Sequence, residues 1–319
     1  MMVDVGDRRE QPSVATGAAA RLVAQGAVAA LGLLTGTIVA RRLGTDGKGV
    51  VSTLGYLLAL FGPIAAFGLG EAGITLVRSG RASLQEAVSS SIGLLLVSTV
   101  VGAAALLALA VLLFDGRWDE LRGPMAAAAT SVPLASVAVA LGFLLEAEHG
   151  LVFTSTVKVA MGAATALTTW LLVIVVPLGA TGGLLALGAG SAVGAVLLAS
   201  RFIRLGFSLR PRVSFAYLGH ALRLGLPVQL STFLVAVSAR LDILPVQAIS
   251  GDKAAGLYSV ALTMGMLAAY GAGSLSMASY PRLAGLPEHE VLEYTARLSR
   301  TAIGLGVSTA LVMTALIPV

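Results

Sequence analysis

The stretch Ser90-Ser-Ile-Gly-Leu-Leu-Leu-Val-Ser-Thr-Val-Val-Gly-Ala-Ala-Ala-Leu-Leu-Ala-Leu-Ala-Val-Leu-Leu113 runs without a single charged residue. A bilayer core about 30 Å thick is crossed by ~20 residues of helix rising about 1.5 Å each. Working outward, the chain holds nine such apolar blocks, roughly 21–40, 49–70, 90–113, 125–147, 151–176, 180–203, 222–248, 254–280 and 301–319. All but the last reach spanning length. Hydrocarbon offers a backbone no partners, so each block must satisfy its own hydrogen bonds as a helix. The sequence therefore predicts an all-α polytopic membrane protein of about nine spans, and most soluble-enzyme classes are excluded.

Composition agrees. Of 319 residues, 57% are hydrophobic and 12% charged, against about 25% charged in soluble domains. The chain has no Cys, which excludes disulfides, Cys-ligated zinc and iron–sulfur clusters. A net charge of +5 would suit nucleic acid, but the charges sit in short loops between spans. The positive-inside rule explains them more simply, so the lipid bilayer is the expected partner and nucleic acid is not. With the N-terminus cytoplasmic, 14 of the 21 Lys and Arg residues fall inside and seven outside. Residues 201–223, around the segment between spans six and seven, are the strongest marker, with five Arg and no acid. No cleaved signal peptide is expected: the first 20 residues mix Asp4, Asp7, Arg8, Arg9 and Glu10, with no short apolar region before a cleavage site.

An internal repeat organises the chain. Gly44-Thr-Asp-Gly-Lys-Gly49-Val-Val-Ser52 recurs as Gly251-Asp-Lys-Ala-Ala-Gly256-Leu-Tyr-Ser259, at a constant offset of 207. Both share Gly-x4-Gly-apolar-x-Ser and both join two spans, so span seven reads as span one of a second copy. Parallel repeats of this kind are a transporter design. The predicted organisation is a cytoplasmic tail at 1–20, a six-helix N-lobe at 21–203, a basic linker at 204–221 and an incomplete C-lobe at 222–319. The last residues, Leu316-Ile-Pro-Val319, lie in an apolar run, so a truncated chain or gene fragment is expected. Two amphipathic stretches, 78–89 and 287–300, are predicted to lie as helices at the cytoplasmic interface.

Gly32-x3-Gly36 and Gly190-x3-Gly194 read as close-packing patterns. Pro63, Pro133, Pro177, Pro227 and Pro245 lie in or near spans, where each removes a helix hydrogen bond. Gly68-Leu-Gly70-Glu-Ala-Gly73 matches a dinucleotide fingerprint, yet it ends a membrane span instead of following a strand. His149 beside Glu146 and Glu148 allows a metal site, though a solvated loop cluster is favoured. H-E-x-x-H, G-x-S-x-G and Walker A patterns are missing, so no catalytic residue, metal or cofactor is expected, and the chain reads as a non-enzyme.

Charges at membrane depth cost several kcal/mol and usually face a cavity or a partner. Arg240 and Asp242 lie late in span seven, spaced i, i+2, so they point to different faces. Lys158 is eight residues into span five and either snorkels or faces a cavity. Arg41 closes span one with Arg42 as interfacial anchors, Glu71 and Arg78 bracket the end of span two, and Glu146 ends span four. Arg240, Asp242, Lys158, Arg41 and Arg78 are the candidate substrate-binding residues. A polar cavity bearing Arg and Lys suits an anion such as phosphate or pyrophosphate.

Arg240-Leu-Asp242 followed by Gly251-Asp-Lys-Ala-Ala-Gly256-Leu-Tyr258-Ser-Val-Ala261 resembles the first helix pair of the C-terminal lobe in polysaccharide-biosynthesis oligosaccharide flippases. Ala40-Arg-Arg-Leu-Gly44 through Gly49, then Phe67-Gly-Leu-Gly70 and Val77-Arg78, resembles the opening helix pair of the same family, within the multidrug/oligosaccharidyl-lipid/polysaccharide exporter superfamily. The resemblance implies a MATE-like bundle of two six-helix lobes around a central cavity, here a six-helix N-lobe plus a partial C-lobe. It implies transfer of a polyprenyl-pyrophosphate-linked oligosaccharide between leaflets of a bacterial or archaeal cell membrane, for polysaccharide or lipopolysaccharide assembly. Polysaccharide polymerase and export proteins are then implied partners, and Arg240 and Lys158 would meet the pyrophosphate and sugar. No cofactor is implied, with coupling to H⁺ or Na⁺ left open. The competing functions are cation-coupled multidrug efflux and a non-transporting membrane scaffold. A membrane glycosyltransferase would want a large outer loop with carboxylates, and Asp115 to Arg122 is short.

Overall fold

The computed structural model describes residues 14–114, 116–148, 151–283 and 288–316. Helix α1 runs Val14–Ala65 but is broken at Gly44, whose φ of 69° and ψ of −170° leave the helical region. Val39 and Val51 both lie within 4 Å of the position a Cβ on Gly183 would take. Twelve residues of straight helix would hold them about 18 Å apart, so the chain folds back at Gly44. Span one thus ends there and span two begins.

Span two is itself interrupted. After Pro63 the chain turns through Phe67 (φ 49°) and Gly68 (φ 66°) before α2, Leu69–Arg78. A Cβ on Gly68 would stand 2.4 Å from the carbonyl oxygen of Gly225, so the turn is where two backbones touch. The single block read at 49–70 therefore continues beyond a left-handed turn to Arg78.

Helix α3, Leu84–Leu113, is capped by Ser83, whose Oγ accepts from the Glu86 N–H. Residues 78–89 are accordingly not a separate interfacial helix: Arg78 ends α2, and 84–89 are the first turns of a continuous α3. The described part of the stretch 287–300, from Glu288, behaves alike, because helix α9, Glu288–Leu316, runs straight through it. Neither junction contains a Gly or Pro to stop the helix, which is the physical reason.

Between them lie α4 (Trp118–Glu148), α5 (Leu151–Thr169), α6 (Gly179–Arg204), α7 (Phe215–Arg240) and α8 (Ile243–Leu283). A π-helical stretch, Trp170–Val175, extends α5. The block read as one span over 222–248 is split at residues 241–242. Pro245 has no N–H to donate to the Leu241 carbonyl, so the α7 ladder stops and Pro245 falls in the first turn of α8. Helix α8 breaks again at Gly251 (φ 75°, ψ −174°). Asp242 and Tyr258, on either side of that break, hydrogen-bond to each other, so this chain also folds back.

Among the described residues, six helical stretches are long and apolar enough to cross a membrane; two of them, Val23–Val77 and Phe215–Thr263, contain the breaks at Gly44 and Gly251. The chain divides into two compact units, Ala27–Ala261 and one built from the two ends, up to Gly26 and from Leu262 onward. In the first unit α4 packs on α2, α3 and α6, and α5 packs on α6. Gly190 and Gly194 of α6 meet Thr165 and Met161 of α5, where a Cβ would stand 2.0 Å and 2.5 Å from their side chains. That stripe is a helix-packing seam.

Candidate functional site

The two copies of the repeat meet at one end of the first unit. A Cβ on Gly49 would stand 2.0 Å from the Asp252 carbonyl oxygen, and one on Gly256 would stand 1.9 Å from the Thr45 carbonyl oxygen. Thr45 and Asp252 are themselves 207 positions apart, as are Gly49 and Gly256, so the contact is reciprocal about a local pseudo-twofold.

A polar chain ties this crossing together. Arg117, in the turn before α4, donates Nη1 to Asp252 Oδ2 at 2.7 Å. It also grips Glu120 with Nε and Nη2 at 3.1 and 3.0 Å. Gln247 Nε2 donates to the other Asp252 oxygen at 2.6 Å, and Thr53 Oγ1 donates to Gln247 Oε1 at 3.3 Å. Thr53, Gln247 and Asp252 are buried. The Glu120 and Asp252 carboxylates raise the Arg117 pKa beyond its already high ordinary value, so the guanidinium stays charged.

Toward the opposite end, α1, α2, α4, α5, α6 and α7 line a partly open cavity of about 320 Å³, at the small end of ligand pockets. Its walls are mostly apolar, with Pro63, Phe143, Met161 and Leu198 among them; Glu71, Glu146, Thr154, Lys158, Gln229 and Thr232 supply polar groups. Lys158 Nζ lies 3.7 Å from Glu146 Oε1, and Thr154 Oγ1 donates to the same oxygen at 3.1 Å. Gln229, only 8% exposed, has a side-chain nitrogen with no hydrogen-bond partner among the described residues. Buried donors are nearly always paired, and leaving one unpaired costs about 1–3 kcal/mol. The cavity thus offers one cation, two carboxylates and an unfilled donor.

Of the candidate residues, Lys158 lines this cavity. Asp242 is exposed at the α7–α8 break and accepts from the Tyr258 hydroxyl. Arg41 is exposed on α1, three residues before the Gly44 break. The side chains of Arg78 and Arg240 lie outside the described residues, and their backbones end α2 and α7. His149 and the Glu148 side chain also lie outside them; among the described residues no group of three His, Cys, Asp or Glu is placed to hold a metal. Glu71 and Glu146, read from sequence as span-end residues, both turn into the cavity. Gln229 was not anticipated; its one signal is an amide inside the apolar run Leu226-Pro-Val-Gln-Leu230.

The fold is similar to those of several solved structures. An inward-facing multidrug resistance MATE family transporter of the MOP superfamily superposes with a TM-score of 0.66 at 16% identity, over 93% of this chain and 71% of that chain. A MOP superfamily transporter from Pyrococcus furiosus, described as having a binding pocket of reverse polarity that suggests a different function, gives 0.66 at 14% identity over 95% and 70%. A MATE in the straight conformation gives 0.64 at 16% identity over 96% and 73%. No protein-family model matches the sequence, and neither does any curated protein. The chain is an all-α polytopic membrane protein with the MATE-like fold.

Proposed function

We propose that this chain is a membrane transporter that moves a polyprenyl-pyrophosphate-linked oligosaccharide across the cytoplasmic membrane by alternating access. The observation that carries the transport reading is the reciprocal crossing of Gly49 on Asp252 and Gly256 on Thr45, sealing one end of a unit whose cavity lies toward the other. Repeats that pivot about a central site do so by exchanging which end is closed. The cargo reading rests on the flippase-like motifs and on Lys158 in the cavity, with Arg240 assigned to the anionic head group. The N-terminus is cytoplasmic in this scheme.

A second reading, cation-coupled efflux, is favoured by one observation: Glu71 and Glu146 both line the cavity beside Lys158. Two carboxylates there can take up H⁺ or Na⁺ in exchange for a cationic cargo.

The test is reconstitution into liposomes with a fluorescent polyprenyl-pyrophosphate disaccharide, bleached from outside by dithionite. Flipping raises the bleached share above that in protein-free vesicles, and Lys158→Ala or Arg240→Ala slows it. Unchanged bleaching together with Na⁺- or H⁺-driven movement of a cationic dye selects the efflux reading instead.

A further inference from the structure

The segment joining α6 to α7, residues 205–214, is neither helix nor strand, yet it is pinned along the start of α3. Gln85 makes a two-point clasp on Ser208, donating to its carbonyl and accepting from its N–H, each at 2.8 Å. The Arg212 N–H donates to the Ser89 carbonyl at 3.2 Å, and Ser90 Oγ donates to the Arg212 carbonyl at 3.2 Å. Ser214 Oγ donates to Glu86 Oε1 at 2.7 Å. A connection held this way is a fixed strap.

Its side chains alternate. Phe207 stacks edge-on against Phe202 at 5.9 Å, Leu209 packs on the core cluster around Leu144 and Leu198, and Val213 reaches the bare face of Gly93. Arg210 and Arg212 fall between these inward contacts and are exposed, as are Arg204 at the end of α6 and Arg223 on α7. Among the described residues no carboxylate lies within ion-pair distance of these four arginines. The nearby acid, Glu86, is taken by Ser214. Apolar side chains stand exposed in the same band: Ile203 is 61% and Phe215 84% exposed. Arginines interleaved with exposed apolar groups where spanning helices end form an interfacial pattern, with apolar groups toward acyl chains and guanidinium groups at headgroup depth.

We propose that this strap is a binding surface for anionic phospholipid headgroups, with Arg204, Arg210 and Arg212 gripping lipid phosphates of the leaflet at that end. Guanidinium forks match phosphate oxygens in bidentate fashion, and acidic lipids attract juxtamembrane basic residues. Because the strap is clasped to α3, the arginines need little further ordering to engage. The inference is independent of the cargo.

The test is electron spin resonance on the full chain reconstituted in phosphatidylcholine with trace spin-labelled lipid. Spin-labelled phosphatidylglycerol is expected to associate several-fold more strongly than spin-labelled phosphatidylcholine. Arg204→Gln/Arg210→Gln/Arg212→Gln should remove most of that preference, and the corresponding triple Lys variant should retain most of it. Arg42→Gln/Arg122→Gln, at the other end, should leave it nearly intact. Helical circular dichroism and a single gel-filtration peak establish that each variant is folded, and Arg210→Gln/Arg212→Gln substitutes if the triple variant is not. A wild-type preference near unity, or one equal in the Gln variants, overturns the proposal. So does abolition by inorganic phosphate but not by chloride at matched ionic strength, which would mark a soluble-phosphate site.

Discussion

Gly49 rests directly on the Asp252 carbonyl, where an added Cβ would stand 2.0 Å from the oxygen. The symmetric partner contact, Gly256 on Thr45, repeats it at 1.9 Å. Backbone cannot swing aside as a side chain can, so Gly49→Ala and Gly256→Ala must push the crossing chains apart. Each is expected to lose about 1–3 kcal/mol by overpacking. Gly32→Ala is the control, since no atom of the described residues lies within 4 Å of its Cβ position; it should hold or gain up to about 1 kcal/mol from helix propensity. Thermal unfolding in detergent checks all three.

Gly44 and Gly251 separate conformational strain from crowding. Among the described residues nothing lies within 4 Å of a Cβ at either position, yet φ is 69° and 75° with ψ of −170° and −174°. That region is essentially restricted to Gly and costs other residues on the order of 1–3 kcal/mol. Gly44→Ala and Gly251→Ala should therefore destabilise despite open space, again read by unfolding midpoint.

At this end the repeat was legible in the sequence, because Gly-x4-Gly recurs at offset 207, but the crossing of its two copies was not. The apolar blocks likewise placed the spanning helices. The break at 66–68 was hidden because Phe67 has no turn signature, and the one at 241–242 because Pro63, Pro133 and Pro227 sit inside helices, so a proline such as Pro245 does not by itself mark a break. The site was less legible. Lys158 could be singled out as a charge within a span, but its partner Glu146 is on another helix. The Arg117–Asp252 pair joins residues 135 positions apart, a distance no local pattern bridges.

Arg117→Gln leaves the buried Asp252 carboxylate with Gln247 alone. Breaking a fully buried pair costs about 3–5 kcal/mol; with the Arg117 side chain 37% exposed, solvent screening reduces this to roughly 1–2 kcal/mol. Since the chain lacks Cys, a single Leu121→Cys reports directly on the sealed end. Its maleimide labelling should be slow with Arg117 present and faster in the Arg117→Gln background. A basic group with a raised pKa stabilises the fold below its unfolded pKa and loses that effect only as pH rises through the folded value. Both lie far above neutrality, so labelling should not change with pH through Arg117 across the physiological range.

Gln229→Leu removes an unpaired buried donor. Stability is expected to rise, by up to about 1–3 kcal/mol, while transport falls because the cavity loses a donor placed to meet cargo. A variant that is both more stable and fully active would remove Gln229 from the site.

The most direct measurement on the transport claim is mass spectrometry of polyprenyl-linked sugars in cells deleted for this gene. A complete, unpolymerised lipid-linked oligosaccharide should accumulate and return to its normal level when the gene is restored. No accumulation, with polysaccharide export intact, would contradict a flippase.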